Sequence, residues 1–250
     1  MKILYVTTIS NTMDFFPDHI NMLLDQGHTV HMACNIIKPI NKGLLDRECK
    51  VYDLELARSP LNKGNYIAYR KLRKIIKNEK YDLIHTHTPI ASTIARLACK
   101  NVKGTKVIYT AHGFHFYENA PLKNWLSFYP IEKYLSRYTD CLITINKEDY
   151  NTAIKKNFKA KDIRFVNGVG VDLNKFEPQT AEKKNCIRQK YGYQEGDFIL
   201  FFAAELNANK HQGLLINAVN NLKYKIPNIK LLLAGTGTLE NQYKDQVNRL

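Results

Sequence analysis

Tyr81–Pro89, YDLIHTHTP, and Lys106–His115, KVIYTAHGFH, decide the fold. Each reads as a short apolar strand that runs straight into a polar loop rich in His and Thr. Such runs, separated by amphipathic helices, read as buried strands of a parallel sheet. In an open α/β sheet, ligands bind outside the carboxyl ends of the strands. Four imidazoles, His85, His87, His112 and His115, are therefore sent to the place where such a fold keeps its site.

The pattern extends in both directions. Lys2–Val6 reads as a buried strand and Thr7–Phe16 as a loop. Pro17 opens a helix that Gly27 stops. Strands follow at Thr29–Cys34 and around Val51–Leu54. In Tyr66–Lys80, Tyr69, Leu72, Ile75 and Ile76 share one face and Arg70, Arg73, Lys74 and Lys77 another, which predicts an amphipathic helix. Strand 82–85, helix 91–100, strand 106–110, helix 122–138, strand 140–145, helix 147–157 and strand 163–166 continue the alternation. The fold class is α/β, with a mostly parallel sheet.

Asp172–Asn185, DLNKFEPQTAEKKN, is polar and reads as a linker. The pattern restarts with a strongly apolar strand at Asp197–Ala204, a helix over 210–224, the strand IKLLLAG at 229–235 and a helix from Leu239. The expected domains are 1–180 and 181–250, the second with only two clear strands.

Lys plus Arg number 37 and Asp plus Glu 23, giving +14. That excess favours anionic partners, an acidic lipid surface or a phosphate-bearing substrate among them. Nucleic acid is not expected as a partner, because no recognition helix or RNA-binding motif accompanies the charge. Five scattered cysteines without a C-x-x-C argue against a disulfide framework and against zinc. Cys34, Cys99 and Cys141 lie in apolar segments and read as core residues of a protein kept in a reducing compartment. No apolar stretch approaches membrane-spanning length, so a cytoplasmic protein with at most peripheral membrane contact is expected.

Five segments could carry chemistry. TTISNTMDF follows the first strand and lacks glycine, so a dinucleotide fingerprint is absent there. A Thr/Ser/Asn loop at a helix entrance can hold hydroxyl-rich or phosphate ligands, or simply cap the helix. In the histidine set, His112 precedes Gly113, which allows close backbone approach. No carboxylate or cysteine completes a metal-ligand spacing with His85 and His87, so hydrogen bonding to a polar substrate is the favoured reading and no metal is expected. AAELNANKH, Ala203–His211, puts a lysine where a strand meets a helix N-terminus, a setting suited to a diphosphate. AGTGT, Ala234–Thr238, lets a nucleotide approach the backbone or makes a tight turn. Asn119–Tyr138 holds the only tryptophan among aromatics and cations, and suits either a membrane interface or, more simply, a core-packed helix.

HTHTP, AHGFHFYENAPLKNW, YTDCLITINKEDY, VNGVGVD, FFAAELNANKHQ and LLLAGTGTLENQY, in that order, resemble glycosyltransferase family 4, particularly its bacterial capsular and exopolysaccharide members. The resemblance runs from Lys2 onward. It implies the GT-B fold: a Rossmann-like acceptor domain, here 1–180, and a Rossmann-like donor domain, here represented in part by 181–250. It implies retaining transfer of a sugar from a nucleotide-sugar co-substrate, UDP-linked, to a lipid-linked glycan, with neither cofactor nor metal. His112 would sit at the donor sugar as the catalytic residue. Asn11, Asn207, Lys210, Gly235 and Gly237 would bind the donor, Lys210 at its diphosphate. His85, His87 and His115 would serve the acceptor. Glu205 departs from the family, standing where many members place an arginine. The family's glutamate pair, separated by seven residues, has no counterpart in this sequence. The resemblance therefore also admits a non-catalytic protein that binds acceptor or membrane, and it implies weak transfer by these 250 residues alone.

Overall fold

The computed structural model describes all 250 residues, Met1–Leu250. They form two compact units, Met1–Val171 and Asp172–Leu250. The division falls at the start of the polar stretch rather than at residue 180.

The first unit alternates strands and helices: β1 (Lys2–Ile9), α1 (Pro17–Asp25), β2 (Thr29–Asn35), α2 (Lys42–Leu45), β3 (Val51–Asp53), α3 (Lys63–Glu79), β4 (Leu83–His87), α4 (Pro89–Cys99), β5 (Lys106–Ala111), α5 (Leu122–Leu135), β6 (Cys141–Thr144), α6 (Lys147–Lys155) and β7 (Asp162–Phe165). Its seven strands make one sheet in the order β3-β2-β1-β4-β5-β6-β7. Every pairing is parallel. The order reverses between β1 and β4, and a crevice opens beyond the strand ends at such a switch point.

Strand alternation sends side chains to both faces. Ile3 and Tyr5 pack with Ile20 of α1 and Leu44 of α2 on one face. Leu4 and Val6 pack with Leu72 of α3 and Ile94 of α4 on the other. Tyr109, Ala111 and Leu142 continue that second face under Trp125 and Phe128 of α5 and Ala153 of α6. Covered on both sides, the sheet is doubly wound and Rossmann-like, as the sequence led us to expect.

Several boundaries differ from expectation. β1 runs on to Ile9, with a register shift between Val6 and Ile9, so Thr7 and Thr8 belong to the strand. A 3₁₀ turn, Ser10–Phe15, replaces most of the expected loop. β4 runs on to His87, because His85 pairs with Tyr5 of β1 and His87 with Thr110 of β5. His87 therefore lies inside the sheet with His85, not in a loop beyond it. Cys34 and Cys99 are buried as expected, but Cys141 is only half-buried, near the sheet's edge.

The second unit contains α7 (Ala181–Lys190), β8 (Phe198–Ala203), α8 (Gln212–Leu222), β9 (Ile229–Ala234) and α9 (Glu240–Asn248). Helix α7 begins inside the segment read as linker. Thr180 caps it, accepting from the Lys183 N–H at 3.2 Å, and Glu182 favours its first turn. It buries no residue, which is why no apolar periodicity announced it. β8 and β9 pair in parallel as a two-stranded sheet. Its small core joins Leu206, Ile216 of α8 and Tyr243 of α9 to Leu231 and Leu233.

Candidate functional site

The first unit gathers its polar side chains beyond the carboxyl ends of β1, β4 and β5. Pro89 starts α4 directly after Thr88, and Thr88 adopts φ 68°, ψ 145°. A β-branched residue at positive φ is a genuine outlier, and such strain concentrates where a site needs it. The turn is held across the switch point. Thr88 Oγ1 accepts from the Thr8 N–H at 3.2 Å and lies 2.7 Å from Thr8 Oγ1. Beside this clasp lies a cavity of about 250 Å³, lined by Thr8, Thr12, Thr88, Arg58, His115 and Phe128 among others. His115 is exposed and stacks on Phe128, ring centroids 4.4 Å apart. Hydroxyls, one guanidinium, one imidazole and an aromatic wall suit a polar, ring-shaped ligand with an anionic group.

His85 and His87 sit one layer deeper, 9% and 2% exposed. His85 Nε2 lies 2.9 Å from Thr110 Oγ1. His87 Nδ1 lies 3.1 Å from Nε2 of His112. His19, on α1, joins the set through Tyr5, whose hydroxyl is 2.8 Å from His19 Nδ1. Burial pushes His85 down to about 3, helped by His19 and His112. Burial also holds His87 well below the ordinary imidazole value and lowers His112. The cluster is therefore neutral at neutral pH. No group of three or more His, Cys, Asp or Glu residues here has a metal-holding arrangement.

His112 is half-buried just past the end of β5, where the sequence directed it. The loop after it is braced from α6. Asp149 is buried and accepts from the Phe114 N–H at 2.9 Å and from Asn146 Nδ2 at 2.8 Å. Glu148 accepts from the Glu118 N–H at 2.7 Å. These carboxylates were quoted in NKEDY without a role; their signal is two acids in the first turn of a helix capped by Asn146. Arg96 and Glu132 were also missed. They form a fully buried ion pair, 2.8 Å, that ties α4 to α5, with Arg96 lying over the Tyr109 ring. A single Arg in an apolar helix gives no sequence cue to its partner.

The remaining predicted residues divide between the units. Asn11, in the 3₁₀ turn after β1, has a buried Oδ1 with no partner. In the second unit Asn207 also has a buried, unpartnered Oδ1. Orphaned buried acceptors of this kind call for a ligand or water donor. Lys210 is exposed in a short 3₁₀ turn before α8, and no side chain caps that helix. Free N–H groups beside a lysine are the arrangement expected for a diphosphate.

Gly235 and Gly237 have a packing reason of their own. A Cβ on Gly235 would meet the Ala204 carbonyl oxygen at 2.1 Å, and one on Gly237 the Leu206 oxygen at 2.2 Å. The loop after β9 thus lies directly on the loop after β8. Glu205 points into solvent, and its carbonyl accepts from Gln212 Nε2 at 2.8 Å.

Comparison with known proteins gives this geometry a lineage. Residues 2–146 match the Glycosyl transferase 4-like family, and residues 183–250 match Glycosyl transferases group 1. The chain is 40% identical over 252 residues to a Bacillus subtilis protein named as a glycosyltransferase, EpsD, an alignment covering 100% of this chain and 65% of that protein. It is 30% identical over 179 residues to the Escherichia coli UDP-Gal:alpha-D-GlcNAc-diphosphoundecaprenol alpha-1,3-galactosyltransferase, covering 69% of this chain and 45% of that one. The chain thus spans less than two thirds of the length of both relatives. Among solved structures, Anabaena HepE in complex with UDP and glucose superposes with a TM-score of 0.71 at 17% identity, over 100% of this chain and 66% of that one. That likeness establishes the fold. The family match, which runs from the first strand to the cap of α6 and resumes in α7, establishes the lineage: the chain belongs to glycosyltransferase family 4, with the GT-B type of α/β fold.

Proposed function

We propose that this chain serves a retaining transfer of a sugar from a UDP-linked donor to a lipid-linked glycan, in capsule or exopolysaccharide synthesis. The observation that carries the reading is His112, half-buried past β5 and 3.1 Å from His87 at the end of β4, in a chain of this family. The E. coli relative, whose name specifies UDP-Gal and a diphosphoundecaprenol acceptor, supports the donor and acceptor classes.

The residues divide the task by unit. His112 would hydrogen-bond the donor sugar while positive charge grows at its anomeric carbon. Asn11 would offer its unpartnered Oδ1 nearby, and the cavity at Thr8, Arg58 and His115 would receive the acceptor. In the second unit, Lys210, Asn207 and the uncapped N–H groups of α8 would stabilise charge on the departing diphosphate. The reading involves no metal or organic cofactor.

The membrane part of the proposal rests on α5. Trp125, Phe128 and Tyr129 pack inward as expected of a crossover helix. The opposite face is also apolar: Leu122, Leu126, Ile131 and Tyr134 are exposed. Lys123 and Arg137 flank them, and Glu132, the helix's one acid, is turned inward to Arg96. Basic α3 packs beside α4, which packs on α5. Aliphatic, aromatic and cationic groups without a carboxylate fit an anionic bilayer surface. No helix is long and apolar enough to cross a membrane.

The test is transfer to an undecaprenyl-diphosphate-linked acceptor by a polypeptide of the relatives' full length. His112→Ala is expected to lower kcat/KM by about 10²–10³-fold, the usual loss for a donor aimed at developing charge. Unchanged turnover rejects the role. Calorimetric titration with UDP-sugars separates the alternative of a non-catalytic binder, which gives no heat.

A further inference from the structure

His87 is the deepest of the site's imidazoles. Its ring lies against Phe16 at 4.2 Å and stacks on Tyr5 at 5.9 Å. Nδ1 faces Nε2 of His112 at 3.1 Å, while its own Nε2 is buried and bonds to nothing. In a neutral pair, one of the two facing nitrogens must donate and the other accept. If His112 donated, the His87 proton would have to sit on the buried Nε2, as a donor without an acceptor. Folded proteins tolerate orphaned N–H groups less often than under-satisfied acceptors. If His87 donates instead, its buried Nε2 is only a bare lone pair.

From this geometry we infer that His87 is a positioning residue: its Nδ1–H donates to His112 Nε2 and fixes His112 as the Nδ1–H tautomer. The inference builds on the donor-sugar role proposed for His112. It adds that His112 meets its ligand as a neutral hydrogen-bond donor, toward a sugar hydroxyl or a phosphate oxygen. The one lone pair of its ring is already taken by His87, so His112 is not free to act as a general base. His112 Nδ1 bonds to no protein atom, which leaves that N–H for the ligand.

The surroundings protect this state. The groups facing the pair are His85 on the same strand, ring centroids 4.3 Å from His87, and Tyr5 of β1 with His19 of α1 hydrogen-bonded to it. Phe16 covers both rings. None of these partners is a carboxylate. Protonating His112 would set two N–H groups against each other, or drive the His87 proton onto the buried Nε2. The pair therefore resists a third proton, in the direction that burial already pushes both rings.

Long-range proton–nitrogen correlation spectra of the ¹⁵N-histidine-labelled 250-residue chain test this directly. The expected result is His112 protonated at Nδ1, with a titration midpoint below about 6.5. His87→Phe keeps an aromatic ring but no donor; His112 should shift to the Nε2–H form and its midpoint should rise toward about 6.5. His87→Asn, whose side-chain amide stands where Nδ1–H stood, should retain the wild-type tautomer. An Nε2–H tautomer in the wild-type chain overturns the inference, as does His87→Phe leaving tautomer and midpoint unmoved. Should His87→Phe fail to fold, the wild-type tautomer and His87→Asn decide. In a full-length polypeptide, His87→Asn should recover turnover that His87→Phe loses. Because the spectra need no turnover, the two readings fail separately. An active His112→Ala enzyme rejects the donor-sugar role and leaves the tautomer standing; a wrong tautomer rejects the positioning and leaves the role standing.

Discussion

β1 and β8 are alike as sequences and unlike as strands. KILYVTTI and FILFFA are both strongly apolar runs. In β1, Leu4 is 0% exposed; in β8, Phe201 is 65% exposed. β1 lies between two neighbours, β2 and β4, in a sheet covered on both faces. β8 pairs only with β9, and the small core formed with α8 and α9 leaves Phe198 and Phe201 open. An apolar run thus reports that a strand wants burial, whereas its neighbours decide whether it is buried. Histidine shows the same contrast. The first unit buries His85 and His87 in a shared cluster, while the second holds a single exposed histidine, His211.

The comparison is most severely tested by Glu132→Ala. Removing one partner of a fully buried pair strands the other charge, so the first unit should lose about 3–5 kcal/mol in urea melts followed by fluorescence of Trp125, the only tryptophan. A loss below 1 kcal/mol would mean that Arg96 reaches water. Next come paired truncations. Leu4→Ala should cost about 2–5 kcal/mol, whereas Phe201→Ala should fall within about 0.5 kcal/mol of zero. Equal costs would erase the distinction between the strands.

Acid should separate the units as well, gradually rather than at one site. The folded pKa values of His85 and His87 are depressed, so the unfolded chain binds protons first as pH falls below about 6.5. Stability of the first unit is then full above that value and declines toward about 3, where His85 itself titrates. The slope is about 1.4 kcal/mol per pH unit for each histidine that stays neutral. Amide exchange at pH 6.5 and 4.5 should show the first unit weakening by this route, and a flat first unit would contradict the buried cluster. The smallest effect belongs to Thr180→Ala. Loss of the α7 cap should cost about 1 kcal/mol or less and be confined to the second unit, as read by exchange in Ala181–Lys190. A change in the Trp125 transition would show coupling between the units.

Much of the site was legible because strand ends carry function in this fold class. His112 and His115 were assigned a place beyond β5, and they lie there. His85 was legible as the last residue of a strand and His87 as a residue of the loop after it, and neither as a core residue. Ladder pairing with Tyr5 and Thr110 extends β4 past the point where hydrophobicity stops. Thr88, Arg58 and the Arg96–Glu132 pair gave no local signal, since each matters through a residue far along the chain. α7 was missed for the opposite reason: it is a helix of caps and propensity with no buried face.

By itself the sequence determined an alternating α/β chain, a parallel sheet and the family, because side-chain periodicity and ordered motifs are local properties. Only the tertiary structure decided which apolar strand is covered, which histidine faces which, and which acids brace the loop after β5. Those depend on residues distant in sequence being brought within a few ångströms, and no window along the chain contains that information.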